Sequence, residues 1–142
     1  MGNPGIRVEV ANAQAFHISE DAIHEALRTA LRFIKKTNVS VEVILVDDST
    51  MCEINRTSRG KNESTNVLSF SEPEELPRIP GEPRSLGEIY LAPVTIEQRG
   101  EDILFLAVHG LLHLLGYTHK SKRDTIEMER TEQEIWQKLL QG

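Results

Sequence analysis

The chain has 142 residues, 39% hydrophobic and 27% charged. That balance suits one globular domain over 1–142 with its own core, and no apolar run approaches the roughly 20 residues a membrane helix needs. Its 22 acidic and 16 basic residues leave a net charge of −6, which argues against indiscriminate nucleic-acid binding, although salt confines each charge to about 10 Å and a local basic groove stays open to it.

Met1 to Gly5 lacks a basic region followed by an apolar stretch, so no secretory signal is read there. Ile6 to Val10 alternates apolar and polar residues, as a half-buried strand does. Ser19 before Glu20 and Asp21 is an N-cap, and Ile23, Ala26, Leu27, Ala30, Leu31 and Ile34 predict a helix from about 19 to 36. Val41 to Val46 is a β-branched run expected as an inner strand. Asp47 to Ser49 caps a short helix through Met51 and Ile54 to about Thr57. Cys52, the only cysteine, reads as a small core residue on that helix; with no disulfide possible within the chain, a reducing cytoplasm is the expected location.

Thr65 to Phe70 reads as a third strand. Residues 72–84 carry Pro73, Pro77, Pro80, Gly81 and Pro83, a density that leaves only a loop. Leu86 to Leu91 is a fourth strand, and Pro93 suits a helix start. The stretch 102–115 is helical and almost wholly apolar, the expected buried central helix, with Gly116 as its stop. An amphipathic helix from Lys122 to Leu140 follows, through Ile126, Met128, Ile135, Trp136 and Leu139. The order β-α-β-α-β-β-α-α predicts an α+β fold: a small mixed four-stranded sheet packed with helices.

Three of the five histidines fall within residues 109–119. His109 and His113, four apart, share one helix face with Cβ atoms roughly 6 Å apart. Gly116 lets the chain turn so that His119 can return to them. The result, HxxxHxxGxxH, predicts one zinc ion on three imidazoles, with a fourth tetrahedral place open, as in a catalytic site. Water in that place has its pKa lowered to about 7. Nickel or copper would accept the same ligands. Packed helix histidines are the plainer reading, but several buried unpaired imidazoles are costly. His17 and His24 read as a pre-helix residue and a helix-surface residue.

The spacing equals that of the metzincin peptidases, whose general-base Glu follows the first histidine. Here that place is Gly110, so a peptidase would lack its base. Phosphodiester cleavage fits better, since a metal can act as Lewis acid on a phosphoryl oxygen and RNA brings its own 2′-OH. A phosphate substrate needs cations, and Arg56, Arg59 and Lys61 lie together beside Gly60. Alone, that cluster reads better as a helix C-terminus enriched in cations, and it becomes informative only together with the metal site.

Three blocks resemble those of the YbeY family, bacterial single-domain metalloproteins described as endoribonucleases of ribosomal RNA maturation. Ile54-Asn55-Arg56 through Arg59-Gly60-Lys61 is similar to LNxxYRGKD. Thr65 to Phe70 is similar to TDVLSF, with Leu86 to Ile89 resembling LGDI. His109 through His119 is similar to HGxLHLxGYDH. The resemblance implies a zinc-dependent hydrolase cutting single-stranded RNA, with His109, His113 and His119 as ligands and Arg59 as the functional arginine that contacts phosphate or developing charge. It also implies an α+β fold with the metal at the mouth of a cleft. The implied partners are ribosomal RNA and ribosome-associated proteins; DNA and membranes are not expected.

The chain departs from the pattern at Thr118, Asn66 and Ser58, where relatives carry Asp, Asp and often Tyr. Arg56 and Lys61 are expected as auxiliary RNA contacts. Thr65 and Ser69 are possible cleft-lining residues. The acids Glu72, Glu74, Glu75 and Glu82 would repel phosphate, so the 72–84 loop is expected as a solvated connection. The alternatives are a zinc peptidase-like hydrolase on a non-nucleic substrate and a non-catalytic ribosome-binding metalloprotein.

Overall fold

The computed structural model describes residues 5–73, 77 and 79–141. Strand β1 (Ile6–Ala11) leads through a 3-10 turn to helix α1 (Glu20–Phe33), then β2 (Val39–Leu45), α2 (Asp48–Arg59), β3 (Val67–Ser71) and β4 (Arg84–Leu91). Three helices close the chain: α3 (Pro93–Gln98), α4 (Ile103–Leu114) and α5 (Lys122–Gln141). The sheet order is β1-β2-β4-β3, with β1, β2 and β4 parallel and β3 antiparallel along the edge of β4. The α+β class, the mixed four-stranded sheet and the inner place of β2 all follow the expectation. The short helix at Pro93 adds one element to the expected order.

Caps set the helix limits. Ser19 accepts from Ala22 N–H at 3.1 Å and starts α1. Lys35 takes a φ of 60°, and Lys36 N–H donates back to Leu31 O at 2.9 Å, which ends α1 near Phe33 instead of 36. At the end of α2, Gly60 takes a φ of 71° as the left-handed C-cap, so the helix runs on to Arg59, past the expected Thr57. Strand β3 begins at Val67, two residues later than expected, because Asn66 Oδ1 accepts Val67 N–H at 2.8 Å and bends the chain before it.

Helix α4 packs on β3 and β4 on one side and against α1 and α5 on the other. Its Leu111 and Leu112 are fully buried with Ile23, Leu27, Ile89 and Met128. This is the expected buried central helix. The opposite face of β3 turns Leu68 and Phe70 toward a second, smaller core with Val46, Met51 and Ala92. Thus α2 and α4 lie on opposite sides of the edge strand, and a side chain on α2 that reaches round that edge can approach α4.

Two side chains differ from expectation. Cys52 is only partly buried, its Sγ 3.7 Å from Asn62 Oδ1. Ile126 is 55% exposed, off the apolar stripe of α5, which runs through the buried Met128 and Ile135. Of the 72–84 loop, Glu74 and Glu75 lie outside the described residues; Glu82 pairs with Arg7 at 3.4 Å.

Candidate functional site

Asp102 starts α4 by accepting from Leu104 and Phe105 N–H groups at 2.8 and 3.3 Å. The end of α4 matters more. Gly116 takes a φ of 98°. Its N–H donates to His113 O at 3.1 Å, and Tyr117 N–H donates to Leu112 O at 3.0 Å. This pair of bonds is a Schellman motif. It reverses the chain and brings His119 back over the face that carries His109 and His113. Ring centroids lie 4.7 Å apart for His109 and His113, 5.8 Å for His109 and His119, and 5.5 Å for His113 and His119. Three imidazoles on one tetrahedral ion, with nitrogens at 2.0–2.1 Å, have centroids about 5 Å apart.

The hydrogen bonds around two of the rings assign their tautomers. His109 Nδ1 is 2.5 Å from Glu132 Oε2, and His113 Nδ1 is 3.2 Å from the carbonyl of Tyr117. Both partners accept, so each Nδ1 carries a hydrogen and each ring turns its Nε2 toward the cleft. Those two Nε2 atoms face each other at 3.1 Å. Nitrogens at that separation share a cation, a proton or a metal ion, and on one zinc ion they would stand about 3.4 Å apart. Burial, followed by repulsion from His109 and His119, holds the His113 imidazole below its ordinary pKa, toward the neutral form a ligand must have.

Among the described residues no three His, Cys, Asp or Glu side chains already form a metal-holding group, and the His109 and His119 rings stack at 23° instead of converging. Completing the set requires movement at His119. That residue is exposed and makes no hydrogen bond among the described residues, while the other two rings are anchored. The donor chemistry therefore fits one borderline-soft ion, with the last ligand left free to close on it.

Glu132 was missed in the sequence. It is 5% exposed on α5, facing α4. Its signal was its position: an acid four residues after Met128 and three before Ile135, inside the apolar stripe of a helix. A carboxylate buried there needs a partner.

Arg59 is brought to the same place from the other side of the sheet. The last residue of α2, it reaches round the edge strand. Its Nη2 donates to Ser69 O at 3.3 Å, and its guanidinium carbon sits 5.6 Å from the centroid of the Phe70 ring. Arg59, Val67, Ser69, Ser71, His109 and His113 line one cleft of about 240 Å³. One of five guanidinium donors is engaged by Ser69, so the fork remains open to an anion. Arg56 pairs with Glu53 on the same helix, and neither it nor Lys61 lines the cleft. Thr65 does not line it either; its hydroxyl is 3.4 Å from Asn66 Oδ1.

The Endoribonuclease YbeY family profile matches residues 9–140. The chain belongs to this family. Among YbeY relatives, the Endoribonuclease YbeY of Bartonella quintana is 38% identical, with 94% of this chain and 90% of the relative covered. That of Persephonella marina is 36% identical over 86% of this chain and 84% of its own. The solution structure of TM1509 from Thermotoga maritima superposes with a TM-score of 0.60 at 26% identity, covering 94% of this chain and 90% of that one.

Gly110 separates this YbeY chain from the peptidases that share its histidine spacing. A Cβ there would stand 2.9 Å from both Ile89 Cγ2 and Ser69 Oγ. The position faces the sheet, and Ser69 Oγ donates to Gly110 O at 3.1 Å. A general-base carboxylate has no room on that face. Two departures from the family pattern also have local partners. Asn66 Nδ2 donates to Glu101 Oε1 at 3.0 Å, where an Asp would meet a like charge. Thr118 Oγ1 donates to Asp124 Oδ2 at 3.3 Å, so a carboxylate lies one residue contact away from His119.

Proposed function

We propose that this chain is a metal-dependent endoribonuclease that cuts single-stranded RNA in ribosomal RNA maturation, working in the cytoplasm beside ribosome-associated proteins. Family membership supports RNA cleavage. The observation that carries the metal and the cleft is the facing pair of His109 and His113 Nε2 atoms, with Arg59 in the same cleft.

His109, His113 and His119 would hold one zinc ion. When bound, zinc supplies Lewis acidity toward a phosphoryl oxygen and lowers the pKa of a coordinated water to about 7. The protein's own residues orient the substrate. Arg59 presents a planar fork that matches two phosphate oxygens, and the Ser69 carbonyl and Phe70 ring fix its direction. Glu132 and the Tyr117 carbonyl keep the two helix imidazoles turned toward the cleft. RNA's 2′-OH is the internal nucleophile available beside the scissile phosphate.

RNA digestion by the zinc-loaded protein, with and without chelator, tests this reading. Cleavage abolished by chelator and restored by zinc is expected. Cleavage indifferent to chelator overturns the metal's role, and no cleavage of any single-stranded RNA overturns the function.

A further inference from the structure

The turn that carries His119 continues into a run of cations. Lys120, Lys122 and Arg123 follow within four residues, all exposed. This stands out in a chain of net charge −6. It also runs against local helix electrostatics, because Lys122 and Arg123 sit in the first turn of α5, where the helix dipole disfavours positive charge. Lys122 and Arg123 thus sit against that field and make no ion pair among the described residues.

Their arrangement is a surface, not a scatter. Lys122, Arg123, Ile126, Glu127 and Arg130, all on α5, line one shallow open groove along a single exposed face of that helix. Three of the five are cationic and one is acidic. Ile126, 55% exposed, is the apolar floor between them. From Lys122 to Arg130 the helix rises about 12 Å, enough for roughly two nucleotide steps. The groove is tied to the candidate site: Thr118 Oγ1 donates to Asp124 Oδ2 at 3.3 Å and accepts Lys120 N–H at 3.4 Å, which pins the His119 turn onto the first turn of α5.

Resting on the endoribonuclease reading above, we infer that this groove is a second RNA subsite, along which the strand continues after passing Arg59 and the three histidines. Lys122, Arg123 and Arg130 contact its phosphates, and Ile126 lies against a base. Charge complementarity, with the tie between the His119 turn and the first turn of α5, selects a single-stranded polyanion as the occupant. The strand then runs on past the histidines instead of ending at them.

The test compares wild type with Lys122→Ala/Arg123→Ala, using fluorescein-labelled 2′-O-methyl oligouridylates of about 6 and 16 nucleotides, whose blocked 2′-OH prevents self-attack. For the long probe the double variant binds at least about fivefold more weakly at low salt. Its log Kd against log salt slope falls by about 1.4, two phosphate contacts at 0.7 each. Binding of the short probe, zinc content and Tm stay unchanged. An unaltered salt slope for the long probe overturns the second subsite, while cleavage by wild type still upholds the endoribonuclease reading. Wild type that neither binds the long probe nor cleaves RNA overturns both. Lys122→Glu/Arg123→Glu, with a larger loss for the long probe alone, separates charge from side-chain packing.

Discussion

Glu132 on α5 holds His109 on α4 through a 2.5 Å contact between its Oε2 and the imidazole Nδ1. The carboxylate is buried, so the contact satisfies a charge that would otherwise be stranded and fixes which nitrogen of His109 faces the cleft. One interaction therefore joins the packing of the last helix to the chemistry of the site.

Glu132→Gln keeps the shape but gives up the charge. Zinc affinity is expected to fall by about 10- to 100-fold, with the fold retained. Competition titration with a chromophoric chelator measures this. Unchanged affinity would mean that Glu132 only packs.

Gly110→Ala places a methyl 2.9 Å from Ile89 Cγ2 and Ser69 Oγ. It should cost about 1–3 kcal/mol through overpacking of α4 against the sheet. Denaturant unfolding shows the loss as a lower midpoint at constant slope. Stability equal to wild type would mean the helix shifts freely on β3. The pairing of Ser69 with Ile89 across β3 and β4 makes that shift difficult.

Asn55 is 3% exposed, and its Nδ2 donates to Glu63 O at 2.9 Å, bracing the turn that follows Arg59. Asn55→Ala should destabilise the protein by about 0.5–1.5 kcal/mol by removing the hydrogen bond that ties this turn to the buried end of α2. It should also weaken RNA binding while zinc content stays at wild-type level. Loss of zinc in this variant would contradict a purely local effect.

Asp47 caps α2 by accepting Thr50 N–H at 2.8 Å, and that bond holds its carboxyl below the ordinary carboxylate range. A group with a lowered folded pKa stabilises the protein above its unfolded value and loses the contribution as pH falls through the folded one. Acid unfolding should therefore include a component from Asp47 below about pH 4. Asp47→Asn still caps the helix but should flatten that part of the stability profile. An identical profile would remove Asp47 from the linkage.

Much of this was legible in the sequence because it is written in local spacing. The interval of four between His109 and His113, the glycine at 116 and the apolar run of α4 carry their geometry with them. So does β2, whose β-branched run could only be an inner strand. What escaped depends on tertiary packing. Glu132 acquires its role only when α5 lies on α4. Arg59 was singled out only through the family resemblance, because it lies fifty residues before His109 and the edge position of β3 is what lets it reach the cleft. Arg56 and Lys61, adjacent to it in sequence, point elsewhere because the α2 helix and the Gly60 turn rotate them away from that edge. Ile126 resembles a core residue by type, yet the helix phase set by Met128 and Ile135 turns it outward.

The central claim is that His109, His113 and His119 converge on one ion. Elemental analysis of purified, zinc-loaded protein, desalted to remove loosely held metal, tests it most directly. One zinc per chain is predicted for wild type, with near-complete loss in each of His109→Ala, His113→Ala and His119→Ala while Lys120→Ala keeps its ion. Stoichiometric zinc retained in any of the three histidine variants, or none taken up by wild type, would contradict it.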